Sequence, residues 1–156
     1  MMPMPDNFFI DTNVLLYLLS NDLEKKSIAK EILKSNHHIS IQVLNEFSNV
    51  SLKKFQLSLD ETREAIKKIS EKTIVFAFNE NTILYALDLK EIYKYQFYDC
   101  LIIATALENH CTILYSEDMQ HNQLIENKLR IINPLNIFTI GKNKGLSAGI
   151  FRISAC

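Results

Sequence analysis

The chain has 156 residues, 47% of them hydrophobic and 22% charged, with a formal net charge of −1. That is the size and balance of one soluble globular domain, large enough to build a core without disulfides or structural metal. The near-zero charge excludes a global basic field for nucleic acid, so any such contact is local or mediated by cations.

Phe8-Phe9-Ile10 is a short apolar run of the kind that forms a buried strand, and Asp11 stands where it ends. An apolar helical pattern follows at once through Leu19, with Thr12 or Asn13 available as its cap. Leu23–Asn36 reads as an amphipathic helix with Leu23, Ile28, Ile32 and Leu33 inside. His38–Ile41 is a short strand candidate. Gln42–Phe55 is helical, with Val43, Phe47 and Val50 on one face. Asp60 is the expected cap of the next helix, whose apolar side holds Ala65, Ile66 and Ile69. Thr73–Phe78 is β-branched and aromatic, hence a strand. After Asn79 or Asn81, Thr82–Tyr95 is helical, with Leu84, Leu87, Ile92 and Tyr95 expected in the core. Tyr98–His110 is a strongly apolar helix, Thr112–Tyr115 a buried strand, Leu124–Leu129 a short helix and Arg130–Ile132 a last strand.

Strands alternating with helices predict an α/β fold with a parallel sheet covered on both faces. The domain is expected to span residues 1–140. All three glycines fall in 141–156, which carries Lys142, Lys144 and Arg152 and no acid. This tail is set apart as a flexible appendage, an edge strand or a sequence foreign to the domain.

Cys100, Cys111 and Cys156 form no C-x-x-C pair, which argues against a disulfide framework and predicts a reducing, cytoplasmic setting. His37, His38, His110 and His121 have no zinc-site spacing with cysteine. The N-terminus lacks the basic and apolar regions of a signal peptide, and no apolar run approaches a membrane span, so no membrane contact is expected.

Four acids carry the functional argument. Asp11 lies beyond the carboxyl end of a strand, where open α/β sheets bind their ligands, although a helix cap would occupy the same place. Glu46 lies at the edge of the Val43–Phe47–Val50 stripe, where a carboxylate needs a partner unless it leans out over the surface. Asp99 opens the most apolar helix, a position also favoured by capping and the helix dipole. Glu117 and Asp118 follow the strand Thr112–Tyr115, where a polar loop is the plain alternative. Carboxylates facing one crevice cannot all ionise without compensation, and no histidine or arginine stands near them in sequence. A hard divalent cation, Mg²⁺ or Mn²⁺, would compensate, and such a site serves phosphodiester chemistry.

These residues resemble the PIN-domain nucleases, especially the VapC-type toxins of bacterial toxin–antitoxin pairs. The resemblance rests on Asp11-Thr12-Asn13 after an apolar strand, Asn45-Glu46-Phe47 on a helix, Asp99 opening an Ala-containing apolar helix, and Ser116-x-Asp118 after a strand. Asn133-Pro134 matches the family's usual end, and the likeness covers about Phe8 to Phe138. It implies a three-layer α/β/α sandwich and a metal-dependent endoribonuclease. Asp11, Glu46, Asp99 and Asp118 would hold one or two Mg²⁺ or Mn²⁺ ions, with Asn13 and Ser116 orienting carboxylates or waters. It also implies an RNA substrate cut to a 5′-phosphate and a 3′-hydroxyl, a cognate antitoxin and a homodimer. Lys53, Lys54, Lys90 and Lys94 are candidates to steer the RNA backbone, against a plainer role on solvated helix faces. The competing readings are a haloacid-dehalogenase-like phosphatase, which needs Asp-x-Asp where this chain has Asn13, a phospho-receiver, and a PIN-like module that only binds a partner.

Overall fold

The computed structural model describes residues 6–35 and 37–138. The tail over 141–156 lies outside the described residues. The elements are β1 (Phe8–Ile10), α1 (Thr12–Leu15) running into a 3₁₀ turn (Leu16–Leu19), α2 (Leu23–Ile32), β2 (His37–Ser40) and α3 (Ile41–Lys53). Then come α4 (Leu59–Lys72), β3 (Thr73–Phe76), α5 (Glu80–Tyr93), α6 (Phe97–Glu108), β4 (Ile113–Tyr115), β5 (Leu124–Ile125) and β6 (Leu129–Ile132). A 3₁₀ turn, Pro134–Asn136, follows.

The sheet order is β3-β2-β1-β4-β6-β5, parallel throughout except for the antiparallel β5. Leaving β1, the chain adds β2 and β3 outward on one side, then returns to place β4 on the other. With right-handed crossovers this reversal puts α1 to α4 on one face and α5 with α6 on the other, a three-layer α/β/α sandwich. Phe9, Ile39, Leu114 and Ile131, one from each of the four inner strands, have no exposed surface and form the centre of the core. Burying each such side chain stabilises the fold by about 1.5–3 kcal/mol. Among the described residues no helix is long and apolar enough to cross a membrane.

Several local expectations are corrected. Ser58, not Asp60, caps α4. Its hydroxyl accepts from Glu61 N–H at 3.1 Å while Glu61 accepts from Ser58 N–H at 2.7 Å, a capping box that leaves Asp60 in the first turn. Leu124–Leu129 is not a helix. Glu126 and Asn127 both take positive φ, and Lys128 N–H donates to Ile125 O at 2.9 Å, so the segment is a tight hairpin between β5 and β6.

On α5 the buried residues are Thr82, Ala86 and Leu89, whereas Leu84, Leu87 and Ile92 are exposed. The small Ala86 lets α5 lie close against α6, and the larger aliphatics turn outward. Leu23 is likewise exposed, at the first position of α2.

Candidate active site

The point where the sheet order reverses lies between β1 and β4, and it opens a crevice beyond their carboxyl ends. Asp11 stands there, 3% exposed. It is itself the cap of α1, accepting from Thr12 N–H at 2.7 Å through Oδ1, so neither Thr12 nor Asn13 fills that role. Its other oxygen, Oδ2, accepts from the Ser116 hydroxyl at 2.8 Å, just past the end of β4. Capping and a place in the crevice are therefore compatible, because each uses one oxygen.

Glu46 is half-buried on α3 and tied to the same strand end. Thr12 Oγ1 donates to its Oε2 at 2.7 Å, and Gln42 Nε2 donates to its Oε1 at 2.7 Å. Gln42 also donates to the carbonyl of Tyr98 at 3.1 Å, which joins α3 to the start of α6. Asp99 is the third residue of α6 and half-buried; the residue before the helix, Gln96, gives no side-chain cap. Asp118 is exposed and accepts from Asn13 Nδ2, while its backbone N–H donates to Ser116 Oγ at 3.3 Å.

Electrostatics join these acids. Burial pushes Asp11 up to about 7, a rise that the Ser116 bond and the Thr12 N–H oppose and that the charges of Asp99 and Glu46 reinforce. Asp99 is raised by burial first, then by Asp118 and Glu46. Asp118 is raised by burial and by its neighbour Glu117. None of the ion pairs of the described residues involves these four acids: they are Lys25–Glu117, beside Asp118, and Lys34–Glu31, Arg63–Asp60 and Lys67–Glu64. Asp99 and Glu46 thus act on Asp11, and Asp118 and Glu46 on Asp99, while Ser116 is bonded to Asp11 and Asn13 to Asp118.

Among the described residues no three His, Cys, Asp or Glu side chains close on a common point. Thr12, Gln42, Asn13 and Ser116 direct their donors at the carboxylates instead. The donor set still fits a hard divalent cation. It is all oxygen, its acids repel one another, and Gln42 Oε1 is a buried acceptor without a partner beside Glu46.

Sequence reasoning passed over Thr12, Gln42 and Tyr17. Gln42 precedes Glu46 by one helical turn, a spacing at which side chains meet, so it was within reach of a pattern argument. Tyr17 stands one turn after Asn13 and donates to Glu117 Oε2 at 2.6 Å, a contact no local pattern signals. Lys53, Lys54, Lys90 and Lys94 are all exposed, and Lys90 Nζ donates to the Tyr95 carbonyl at 2.8 Å.

A mainly parallel α/β/α sandwich with acids beyond the strand ends at its switch point belongs to the class of α/β domains that bind their ligands in that crevice. Within that class the chain belongs to the PIN domain family, whose model matches residues 8–126. Solved structures share the fold. A chain of a toxin–antitoxin complex from Klebsiella pneumoniae is 24% identical, with 81% of this chain and 96% of that one covered and a TM-score of 0.62. VapC20 from Mycobacterium tuberculosis, a sarcin-ricin loop cleaving toxin, is 16% identical over 71% of this chain and 89% of its own, with a TM-score of 0.57. A chain of VapBC2 from Rickettsia felis, bound to a fragment of promoter DNA, is 17% identical over 81% and 99%, with a TM-score of 0.57. A comparison with curated proteins finds no match. PIN membership does not favour the phosphatase alternative.

Proposed function

We propose that this chain is a metal-dependent endoribonuclease, the toxin of a toxin–antitoxin pair, with its nuclease domain in residues 1–140. The observation that carries the reading is the hydrogen-bond network that ties Asp11, Glu46 and Asp118 to the chain leaving β1 at the switch point of a PIN fold, with Asp99 near enough for its charge to act on Asp11. These residues would hold Mg²⁺ or Mn²⁺, which supplies neutralisation of phosphate charge and a water made more acidic. Asp11 is held in one rotamer by Ser116 and Thr12, and Glu46 by Thr12 and Gln42, so their oxygens are oriented before substrate arrives. Asn13 does the same for Asp118. In-line cleavage at such a site leaves a 5′-phosphate and a 3′-hydroxyl.

Two surfaces support the partners. A groove of about 1150 Å³ is lined by Leu18, Leu19, Leu33, Phe47, Ala65 and Ile69, with lysines and acids at its rim. Its apolar floor suits an amphipathic antitoxin segment, and two of the similar structures are of toxin–antitoxin complexes. The exposed Leu84 and Leu87 on α5 favour a homodimer.

The test is incubation of the purified chain with tRNA, rRNA and mRNA in Mg²⁺ or Mn²⁺ and in chelator. Cleavage that needs the cation and is abolished in Asp11→Asn and Asp99→Asn is the expected result. Cation-independent cleavage, or full activity in both variants, counts against the reading. Binding of antitoxin without any nuclease activity would favour the interaction-module alternative.

A further inference from the structure

The loop after β4 carries two adjacent acids, Glu117 and Asp118, each bonded to a different partner. Its first three residues are each bonded to a different residue of one short segment at the end of β1. Ser116 Oγ donates to Asp11, Asn13 Nδ2 donates to Asp118, and Tyr17 OH donates to Glu117 Oε2 at 2.6 Å. Asn13 and Tyr17 are one helical turn apart, so they grip neighbouring loop residues from the same side.

Tyr17 is 4% exposed, and its hydroxyl depends on Glu117 for an acceptor. Turning Glu117 toward the crevice would strand that buried hydroxyl. Lys25 adds a second hold, with Nζ 3.8 Å from Glu117 Oε1 and 5.2 Å from the centre of the Tyr17 ring. Both Lys25 and Glu117 are about one-third exposed, so this hold is partly screened and secondary to the hydrogen bond.

We propose that Glu117, anchored by Tyr17, is a positioning residue that turns Asp118 into the acidic crevice and is not itself a cation ligand. The proposal rests on the nuclease reading above, because it concerns how that site is assembled.

The experiment is Mn²⁺ binding to the full chain, read by the loss of the free-ion resonance, with RNA cleavage against Mn²⁺ concentration as a second readout. Glu117→Ala and Tyr17→Phe are expected to weaken Mn²⁺ binding about ten- to a hundredfold, as loss of an outer-shell partner does, with cleavage recovering at high Mn²⁺. Glu117→Gln keeps an oxygen for the Tyr17 hydroxyl and should bind Mn²⁺ close to wild type. Lys25→Ala should do so too. Glu117 is a partly exposed loop residue, so its variants test the proposal even if Tyr17→Phe is poorly folded.

Glu117→Gln as weak as Glu117→Ala would make Glu117 a ligand and overturn the proposal. Wild-type Mn²⁺ binding in both Glu117→Ala and Tyr17→Phe would overturn it as well, leaving the nuclease reading intact. A wild-type chain that binds no Mn²⁺ would instead sink that reading, and the proposal with it.

Discussion

Replacing Asp11 by asparagine should stabilise the protein at alkaline pH while abolishing cleavage. In the unfolded chain this carboxyl ionises near 3.8; in the folded chain burial and the neighbouring charges hold it near 7. Between those values the folded state keeps a proton that the unfolded state has released. The group's contribution is therefore complete below about pH 4, declines as pH rises, and is lost once pH passes about 7. Three pKa units at about 1.4 kcal/mol each make this about 4 kcal/mol. Asparagine stays neutral and removes that loss.

The gain is not complete, because Asp11 accepts two hydrogen bonds, from Thr12 N–H and from Ser116 Oγ, and the asparagine amide can accept only one of them in that geometry. The stranded donor costs about 1–3 kcal/mol. Asp11→Asn should thus exceed wild type by about 1–3 kcal/mol at pH 8 and lose that advantage at pH 5. Urea denaturation in EDTA at the two pH values measures both differences by linear extrapolation. Because Asp99 and Asp118 also titrate, the quantity to compare is the difference between the two proteins' slopes. Equal pH slopes, or a variant less stable than wild type at pH 8, would refute a buried and repelled Asp11.

A second expectation follows from the same repulsion: millimolar Mn²⁺ or Mg²⁺ should raise the melting temperature of wild type and do so less in Asp11→Asn and Asp99→Asn. An identical response in all three would remove the acids from the cation site. Expression of the chain alone should arrest growth, and Asp11→Asn or Asp99→Asn should relieve the arrest while still binding the antitoxin in pull-down, since the groove is untouched. His37 is 1% exposed, and burial lowers its pKa below 6.5. Its stabilising contribution is present above that value and declines as pH falls, because the unfolded chain takes up the proton more readily than the folded one. His37→Gln should flatten the decline in stability as pH falls below 6.5; an unchanged profile would mean that the fold leaves the proton affinity of His37 unaltered.

Much of the fold was readable because buried parallel strands leave a strong local trace. Phe8-Phe9-Ile10 and Ile113-Leu114-Tyr115 are continuous apolar runs, and the residue that follows each of them is polar because it meets the crevice. The hairpin at Leu124–Leu129 was missed since its turn is Glu126-Asn127, without the glycine that usually marks paired positive φ. The α5 face was misread because Leu84, Leu87 and Ile92 satisfy a helical pattern as well as Ala86 and Leu89 do. Which side of a helix is buried depends on the partner it packs against, here α6, and not on its own periodicity.

By itself the sequence determined the alternation of elements, the placement of Asp11 and Asp118 after strands, and the presence of Glu46 and Asp99 on helices. These are short-range facts, written in runs of a few residues. Only the tertiary structure decided what those acids meet. Asp11 and Ser116 are 105 positions apart and share a hydrogen bond because β1 and β4 are neighbours in the sheet. Tyr17 and Glu117 are 100 positions apart and share a hydrogen bond for the same reason. A carboxylate's partners and proton affinity come from groups that the fold brings within a few ångströms, and strand order, which no local pattern encodes, chooses those groups.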